Sequence, residues 1–278
     1  MSTDNSVQET PQNHSFLAQT FTDSGGHTLP YRLLVPTVRP AHTKAGMPNV
    51  VPHLLPLVLL LHGSGERGND NSGQLRNGVA ELLGSATAAA RFPCFYLVPQ
   101  CPAQHRWVEV NWDADHHVLP PRLSMPLSAT VQLVESLLGR HPIDPQRLYL
   151  IGLSMGGFGV WDLLSRRPEC FAAAVSICGG TDDNAALAAR AVPIWVFHGA
   201  RDPIVPVERS RRTVTALRAA GGAPRYTEYP HVGHDAWTHA FAEPNLLPWL
   251  FAQRAAQPPQ HATQSKQPGP RARGGEPQ

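Results

Sequence analysis

The sequence contains no long hydrophobic run. Its longest apolar stretch, residues 54–61, is interrupted by Pro56 and is much shorter than the ~18 residues that a membrane-spanning helix requires. Residues 1–15 are polar and lack the basic start and apolar stretch of a secretory signal. We therefore expect a cytoplasmic protein with no membrane partner, in which residues 54–61 form a core strand.

An excess of either charge is also missing, and cysteine is scarce. The formal net charge is +2, from 23 basic and 21 acidic residues that are interspersed along the chain, which argues against a nucleic-acid surface and favours a small or neutral partner. The four cysteines lack the CxxC spacing of zinc sites, so we expect free thiols rather than disulfides or metal ligands. They are Cys94, Cys101, Cys170 and Cys178.

What the chain does contain is enough apolar residues for one large core. With 278 residues, 42% of them hydrophobic, a single domain over residues 16–254 is expected. Residues 1–15 are predicted to be a flexible N-terminus. Residues 255–278 are rich in Gln, Pro, Gly and Ala and have few large apolar groups, so a disordered tail is predicted there.

Short apolar runs alternate with helical patterns through most of the domain. Residues 16–22 and 28–35 predict an antiparallel hairpin, and the prolines of segment 36–56 predict a loop that closes over one edge. Further strands are predicted at 57–61, 95–98, 148–151, 172–177, 194–197 and 225–229, and helices at 73–91, 127–140, 157–167, 207–220 and 236–254. This alternation predicts an α/β fold: a mostly parallel eight-stranded sheet with helices on both faces and an N-terminal antiparallel hairpin.

The most informative motif is Gly152-Leu153-Ser154-Met155-Gly156, which lies between a predicted strand and a predicted helix. A serine at such a turn is held in a strained conformation that exposes its hydroxyl, and the residues two before and two after it must be small. The glycines meet that requirement. The alternative is a glycine-rich turn with no chemistry, and the rest of the chain has to decide between the two.

A nucleophilic serine needs a histidine to accept its proton and an acid to orient that histidine. Asp202 follows the strand predicted at 194–197, and His234 follows the one at 225–229. Ligand sites of parallel sheets lie at the carboxyl ends of the strands, so these side chains are expected to meet Ser154 there. Candidate donors to a developing oxyanion are the N–H groups of Ser64, in the glycine-rich loop 62–68, and Met155.

Other residues compete for these roles. Asp182, Asp183 and Asp235 are rival acids and His231 is a rival base. Asp235 is disfavoured because neighbours in an extended loop point apart, and His234 is preferred because Gly233 gives its backbone freedom.

Several further side chains have two interpretations each. His62 and His198 are expected to hydrogen-bond within their loops, and His116 and His117 to be solvated, since no third metal ligand has a recognisable spacing. In the glycine-rich loop, Glu66, Arg67 and Asp70 either hold the shape of the loop by ion pairs or contact a polar substrate. Trp107 and Trp112 either line a substrate pocket or pack the long segment 100–126 onto the body.

Four blocks together resemble the signature of the α/β-hydrolase superfamily, namely 61–68, 152–157, 198–202 and 233–237. Within it, the chain resembles the phospholipase/carboxylesterase and predicted-peptidase branch, close to dienelactone-hydrolase-like esterases. The resemblance extends over residues 57–237 and leaves segment 36–56 and the tail unmatched. It implies a nucleophile at Ser154, a base at His234, an orienting acid at Asp202, and oxyanion donors at Ser64 and Met155.

The activity expected from this resemblance is the cleavage of carboxylic esters through an acyl-enzyme, without cofactor or metal. Residues 178–192 leave little material for a lid, which favours a carboxylesterase that acts on accessible esters over an interfacial lipase. A thioesterase or a serine peptidase of the same fold remains open, because the same groups cleave those bonds. A non-catalytic ligand-binding relative is the alternative from another class.

Overall fold

The computed structural model describes residues 16–36 and 54–256. The predicted flexible N-terminus at 1–15, most of the proline-rich loop and almost all of the predicted tail lie outside the described residues. What is described forms one eight-stranded sheet with helices on both faces, as the alternation of strands and helices predicted.

The sheet is antiparallel only at its N-terminal end. Its strands are β1 (Leu17–Thr22), β2 (Thr28–Leu34), β3 (Leu55–Leu61), β4 (Phe95–Pro99), β5 (Ile143–Leu153), β6 (Ala173–Ile177), β7 (Ile194–Gly199) and β8 (Arg225–Tyr229). They pair in the order β1-β2-β4-β3-β5-β6-β7-β8, in which β1/β2 and β2/β4 are antiparallel and the remaining pairs are parallel. The predicted hairpin is confirmed at the edge of the sheet.

Two layers of helices cover the sheet. The helices are α1 (Val79–Gly84), α2 (Ala86–Arg91), α3 (Met125–Arg140), α4 (Met155–Arg166), α5 (Glu208–Ala219), α6 (Ala236–Phe241) and α7 (Leu246–Phe251). Apolar residues of α3, α4 and α5 pack in one core cluster, and those of α1, α6 and α7 in the other. In the described ranges, no helix has both the length and the apolar character needed to cross a bilayer.

Alternation along the central strands divides the core between these two layers. On β3, Leu57, Leu59 and Leu61 belong to one cluster, whereas Val58 and Leu60 belong to the other. All five are at most 3% exposed, because a parallel strand with helices on both sides has no solvated face. This double burial explains why the strand appears in the sequence as an unbroken apolar run.

Two predicted helices are interrupted. The helix expected at 73–91 is a short 3₁₀ turn followed by α1 and α2, because Gly78 is left-handed with φ 79° and Ser85 is extended and caps α2 through its hydroxyl. The helix expected at 236–254 is split into α6 and α7 around Pro244, which lacks the N–H that a helix interior needs and disfavours helical geometry in the residue before it.

The cysteines are free, as predicted. Cys94, Cys101 and Cys178 are buried, and burial raises the pKa of each of these thiols well above its ordinary value. Cys170 is half-buried, and burial raises its pKa to about 11. These thiols therefore pack as small apolar groups and carry little thiolate at neutral pH.

The turn from β5 into α4 brings backbone into direct contact with backbone. A Cβ added at Gly156 would overlap the carbonyl of Leu61 at the end of β3, and one added at Gly152 would overlap the carbonyl of Gly156. Any side chain at either position would push α4 away from the sheet. The two glycines are therefore required by close packing, as the sequence motif predicted.

Replacing Gly156 by Ala is expected to lower the free energy of unfolding by about 3 kcal/mol or more, because the backbone carbonyl in its way cannot move aside cheaply. Urea denaturation followed by circular dichroism measures this change. The matched control is Gly139→Ala in α3, where an added Cβ meets nothing within 4 Å. Its stability should stay within about 1 kcal/mol of the wild type, and equal midpoints for the two variants would contradict the close approach.

Candidate active site

Ser154 occupies a strained position between β5 and α4. Its φ is 52° and its ψ is −119°, a region that residues with a side chain rarely adopt, and its N–H donates to the carbonyl of Ile177 at 2.8 Å. The residue is 8% exposed. This turn at the carboxyl end of the central strand directs the hydroxyl towards the loops that follow the neighbouring strands.

The structure brings Ser154, His234 and Asp202 into one hydrogen-bonded chain, here called the relay. Ser154 Oγ lies 2.8 Å from His234 Nε2, and His234 Nδ1 lies 2.7 Å from Asp202 Oδ2. An ionised carboxylate can only accept, so Nδ1 carries the proton and donates a hydrogen bond to Asp202. Nε2 of the neutral ring is then left as an acceptor for the serine hydroxyl.

The Asp202 carboxylate has no exposed surface and is surrounded by donors. Its Oδ1 accepts from the backbone N–H groups of Ile204 at 2.8 Å and Val205 at 3.0 Å. Burial by itself raises the pKa of this carboxyl. Hydrogen bonds from His198, His234 and the two backbone groups outweigh burial and hold the pKa well below its usual range.

His198 is the residue whose contact with the relay the sequence did not predict. It is completely buried, its Nε2 lies 3.3 Å from Asp202 Oδ2 and 3.0 Å from the carbonyl of Val205, and its Nδ1 lies 2.7 Å from Ser210 Oγ. Hydrogen bonding within its loop was predicted. Its position at the end of β7, four residues before Asp202, is the signal that could have indicated the contact with the carboxylate.

The rival acids and base have other partners. Asp182 accepts from two backbone N–H groups of its own turn at 3.1 and 3.3 Å, and Asp183 pairs with an arginine of α5 at 3.3 Å. His231 lies 3.2 Å from another arginine, and Asp235 stands at the N-cap position of α6. The hydrogen bonds described for residues 54–256 connect none of the four to the relay.

Two backbone N–H groups near the relay have no acceptor in the described hydrogen bonds. Ser64 opens a 3₁₀ turn over Ser64–Glu66, and Met155 is the first residue of α4. The first N–H groups of a helix have no intrahelical acceptor, and the helix dipole adds positive potential at that end. Both groups suit an anionic ligand atom.

The polar side chains of loop 62–68 and its continuation bind to the protein itself. Glu66 Oε1 accepts from Asn77 Nδ2 at 2.8 Å, and Arg67 Nε donates to a carbonyl of the same loop at 2.9 Å. Gln100, fully buried at the end of β4, donates to Asp70 at 2.6 Å. These contacts favour the interpretation in which the side chains hold the loop, although they act through hydrogen bonds rather than ion pairs.

The two tryptophans differ in exposure. Trp107 is completely buried, and its Nε1 donates to the carbonyl of His62 at 3.0 Å, so it packs behind the glycine-rich loop. Trp112 is half-buried under the guanidinium of Arg106, which lies 4.2 Å from the ring centroid. Of the two, only Trp112 has surface left for a ligand.

Of the other histidines considered from the sequence, His62 and His117 have partners within the protein. His62 Nδ1 lies 2.6 Å from the carbonyl of Gly63, and burial lowers its pKa to about 4. His117 contacts Arg209, and burial together with that charge lowers its pKa to about 4, whereas His116 is exposed. His117 therefore has a partner within the protein and is not solvated, contrary to the prediction. Its contact with Arg209 connects segment 100–126 to α5.

One group of side chains has the separation of metal ligands. Ligand atoms of Cys178, Asp202 and His234 lie within 4.8 Å of one another. The atoms of Asp202 and His234 that face each other already share the 2.7 Å hydrogen bond of the relay. The Cys178 thiol donates to the carbonyl of His234 at 3.3 Å, so it supports the loop that carries the histidine.

This fold and this site define a protein of α/β-hydrolase architecture. The model of the dienelactone hydrolase family matches residues 115–253, which is half of the 278-residue chain and includes all three residues of the relay. The chain belongs to the dienelactone hydrolase family, and the resemblance found in its sequence motifs is confirmed.

Relatives and solved structures agree with this assignment. The chain is similar to a thermostable esterase of known crystal structure, with 39% identity and a TM-score of 0.76 over 86% of this chain and 63% of that one. It is 28% identical to "Putative esterase NocK" of Nocardia uniformis subsp. tsuyamanensis, over 72% of this chain and 52% of that protein. The chain therefore spans less than two thirds of the length of either.

A shorter match connects the chain to a third protein. It is 33% identical to Acyl-protein thioesterase 1 of Gibberella zeae, over 34% of this chain and 43% of that protein. A ferulic acid esterase that is 17% identical, with a TM-score of 0.61, shares the fold.

The depressed pKa of Asp202 has a consequence for stability. A carboxyl whose pKa is lower in the folded state contributes stability that is present above its unfolded pKa and is lost as the pH falls towards its folded pKa. Because the unfolded pKa of Asp is ~3.9, this group should lose about 1 kcal/mol of its contribution between pH 6 and pH 3. The stability difference between wild type and Asp202→Asn should therefore shrink by that amount, as measured by urea denaturation at the two pH values.

The control for this measurement is Asp113→Asn, since Asp113 is exposed in segment 100–126. Its stability difference from wild type should be the same at pH 6 and pH 3. A difference for Asp202→Asn that also stays constant would contradict the depressed pKa.

Proposed function

We propose that this protein is a serine hydrolase that cleaves carboxylic esters by way of an acyl-enzyme. The observation that carries the proposal is the relay, in which Ser154 Oγ lies 2.8 Å from His234 Nε2 and His234 Nδ1 lies 2.7 Å from Asp202. The first distance lets His234 take the hydroxyl proton when the serine attacks, and the second lets Asp202 hold the ring in the tautomer and orientation that this transfer needs. Membership of the dienelactone hydrolase family supports the same reaction class.

The reaction proceeds in two steps. Ser154 Oγ attacks the ester carbonyl while His234 takes the hydroxyl proton, and the C–O bond to the alcohol breaks as His234 returns that proton to the leaving oxygen. Water, deprotonated by His234, then attacks the acyl-serine and releases the acid and the free hydroxyl. The Asp202 carboxylate holds the ring orientation and stabilises the imidazolium that forms in each step.

Negative charge on the carbonyl oxygen is stabilised by backbone donors. The N–H groups of Ser64 and Met155 fit this role because they have no acceptor among the described residues and flank the serine from the ends of two adjacent strands, β3 and β5. Donors that are already in place need no reorganisation when the charge develops, and one such donor contributes about 10²–10³-fold to the rate. The reaction is complete with these groups and needs no cofactor or metal.

The proposed substrate is a small, accessible ester, handled in the cytoplasm by a carboxylesterase. Sixteen residues, 178–193, connect β6 to β7, which leaves little chain for a lid over the serine. The names of the thermostable esterase and of NocK support an ester as the substrate. A thioester is the second candidate, favoured by the partial similarity to Acyl-protein thioesterase 1.

A fluorophosphonate probe tests the reaction class. We expect the wild-type protein to be labelled at a single serine and Ser154→Ala to show no labelling, because the probe captures a serine that a histidine activates. Mass spectrometry of the labelled peptide measures the site. Ser176→Ala is the control. That serine is buried on β6 and is not expected to react, so the variant should be labelled like the wild type. If the folded wild-type protein were not labelled, the proposed catalysis would be refuted and non-catalytic ligand binding would be the remaining function.

Steady-state kinetics on matched esters, thioesters and peptides tests the substrate class. We expect p-nitrophenyl acetate and butyrate to be cleaved with a higher kcat/KM than acyl thioesters of the same chain length, and short peptides not to be cleaved. Ser154→Ala should lower kcat/KM by at least about 10³-fold, because the remaining groups cannot form the acyl-enzyme. If only thioesters or only peptides were cleaved, that class of compound would replace the ester as the proposed substrate.

A further inference from the structure

The carboxylate of Glu66 lies directly behind the turn that carries the Ser64 N–H. Glu66 is only 8% exposed, although a glutamate in a loop is ordinarily solvated. A Cβ placed on Gly63 would be 2.9 Å from Glu66 Oε2, 3.0 Å from the Leu153 side chain and 3.6 Å from Ser154 Cβ. The carboxylate is therefore packed against the same small volume that the nucleophile borders.

One side-chain donor holds this carboxylate: Asn77 Nδ2 donates to Oε1 at 2.8 Å. Burial raises the pKa of the Glu66 carboxyl, and the Asn77 amide together with the nearby backbone N–H groups of Gly63 and Glu66 opposes the rise. A buried carboxylate is costly unless polar groups surround it, and here those groups come from Asn77 and from the glycine-rich turn.

The Ser64 N–H itself is left free. The carboxylate lies against Gly63, the residue before Ser64, while the N–H of Ser64 has no acceptor in the described hydrogen bonds. The Glu66 carbonyl is held as well, by Gln100 Nε2 at 3.1 Å. The side chain and the backbone of Glu66 thus fix the orientation of the short turn from both sides.

We propose that Glu66 is a positioning residue for the reaction: its buried carboxylate, held by Asn77 and packed against Gly63, fixes the short turn so that the Ser64 N–H points at the oxyanion formed at Ser154. The inference rests on the proposed function and adds to it. Glu66 does not contact the reacting atoms, and it acts through the direction of one backbone donor. No carbonyl chemistry or proton transfer is assigned to it.

Glu66→Gln tests this role with little change of shape. The amide replaces one carboxylate oxygen by an NH₂ donor, so either Asn77 Nδ2 must face another donor or the NH₂ must lie against the backbone of Gly63, and the turn must shift. We expect kcat to fall at least tenfold with KM within about threefold, since losing a complete oxyanion donor costs about 10²–10³ in kcat. A trifluoromethyl ketone, whose adduct with serine carries the oxyanion, should bind more weakly by the same factor as kcat falls.

All rates are measured per serine titrated with the fluorophosphonate, which removes any inactive fraction. Glu135→Gln is the matched control, because Glu135 is half exposed and pairs with Arg167 at 2.8 Å beyond the end of α4 remote from Ser154. Its kcat and ketone affinity should equal those of wild type. Asn77→Gly is a second variant: it keeps the left-handed backbone at residue 77, where φ is 59°, and removes only the donor to Glu66.

The outcomes separate the inference from the function on which it depends. Esterase activity in wild type and control, with a lower kcat and weaker ketone binding for Glu66→Gln, supports the positioning role. An unchanged or higher kcat per titrated serine overturns it, even if the melting temperature falls, because a structural role alone would move only stability. If Glu66→Gln does not fold, Asn77→Gly decides by the same criteria, with a severalfold fall in kcat expected. An inactive wild type would refute the proposed function itself.

Discussion

The close approach of α4 to the end of β3 is the constraint on which the rest of this site depends. Because Gly156 has no side chain, its backbone reaches the carbonyl of Leu61, and the first turn of the helix settles on the edge of the sheet. That contact fixes Ser154 at its strained angles and places the first N–H of α4 beside the loop that follows β3. A separation larger by one methyl group would move the Ser154 hydroxyl away from that loop.

Buried negative charge is the second feature that organises the site. Asp202 and Glu66 are both carboxylates withdrawn from solvent: Asp202 accepts from two backbone N–H groups of its own loop, and Glu66 accepts from the Asn77 side chain. For Asp202 the hydrogen bonds outweigh burial and lower the pKa, whereas for Glu66 burial outweighs the hydrogen bonds and raises it. In the proposed reaction the two groups act on the site from separate loops, one through the histidine ring and the other through the backbone of the glycine-rich turn.

Much of this arrangement could be predicted from local pattern. Each central strand is an apolar run because both of its faces are buried, and the chemistry-bearing residues follow those runs at the carboxyl ends. Helix continuity was predicted less well. Gly78 and Pro244 interrupt helices whose apolar spacing continues across the break, since a hydrophobic pattern records burial and not the backbone hydrogen bonds. Trp107 shows a related limit, because an aromatic residue looks the same in sequence whether it lines a pocket or fills the core.

The sequence by itself determined the order of strands and helices, the glycines of the turn, and the residue types of the relay, because these depend on period, side-chain size and chemical kind. Tertiary structure alone decided which partner each polar side chain found. His198 reaches Asp202, and Glu66 reaches the backbone of its own loop, through contacts that depend on ångström-scale positions of separate loops. Such distances arise only when the sheet and its two helical layers have packed together, and no pattern along the chain encodes them locally.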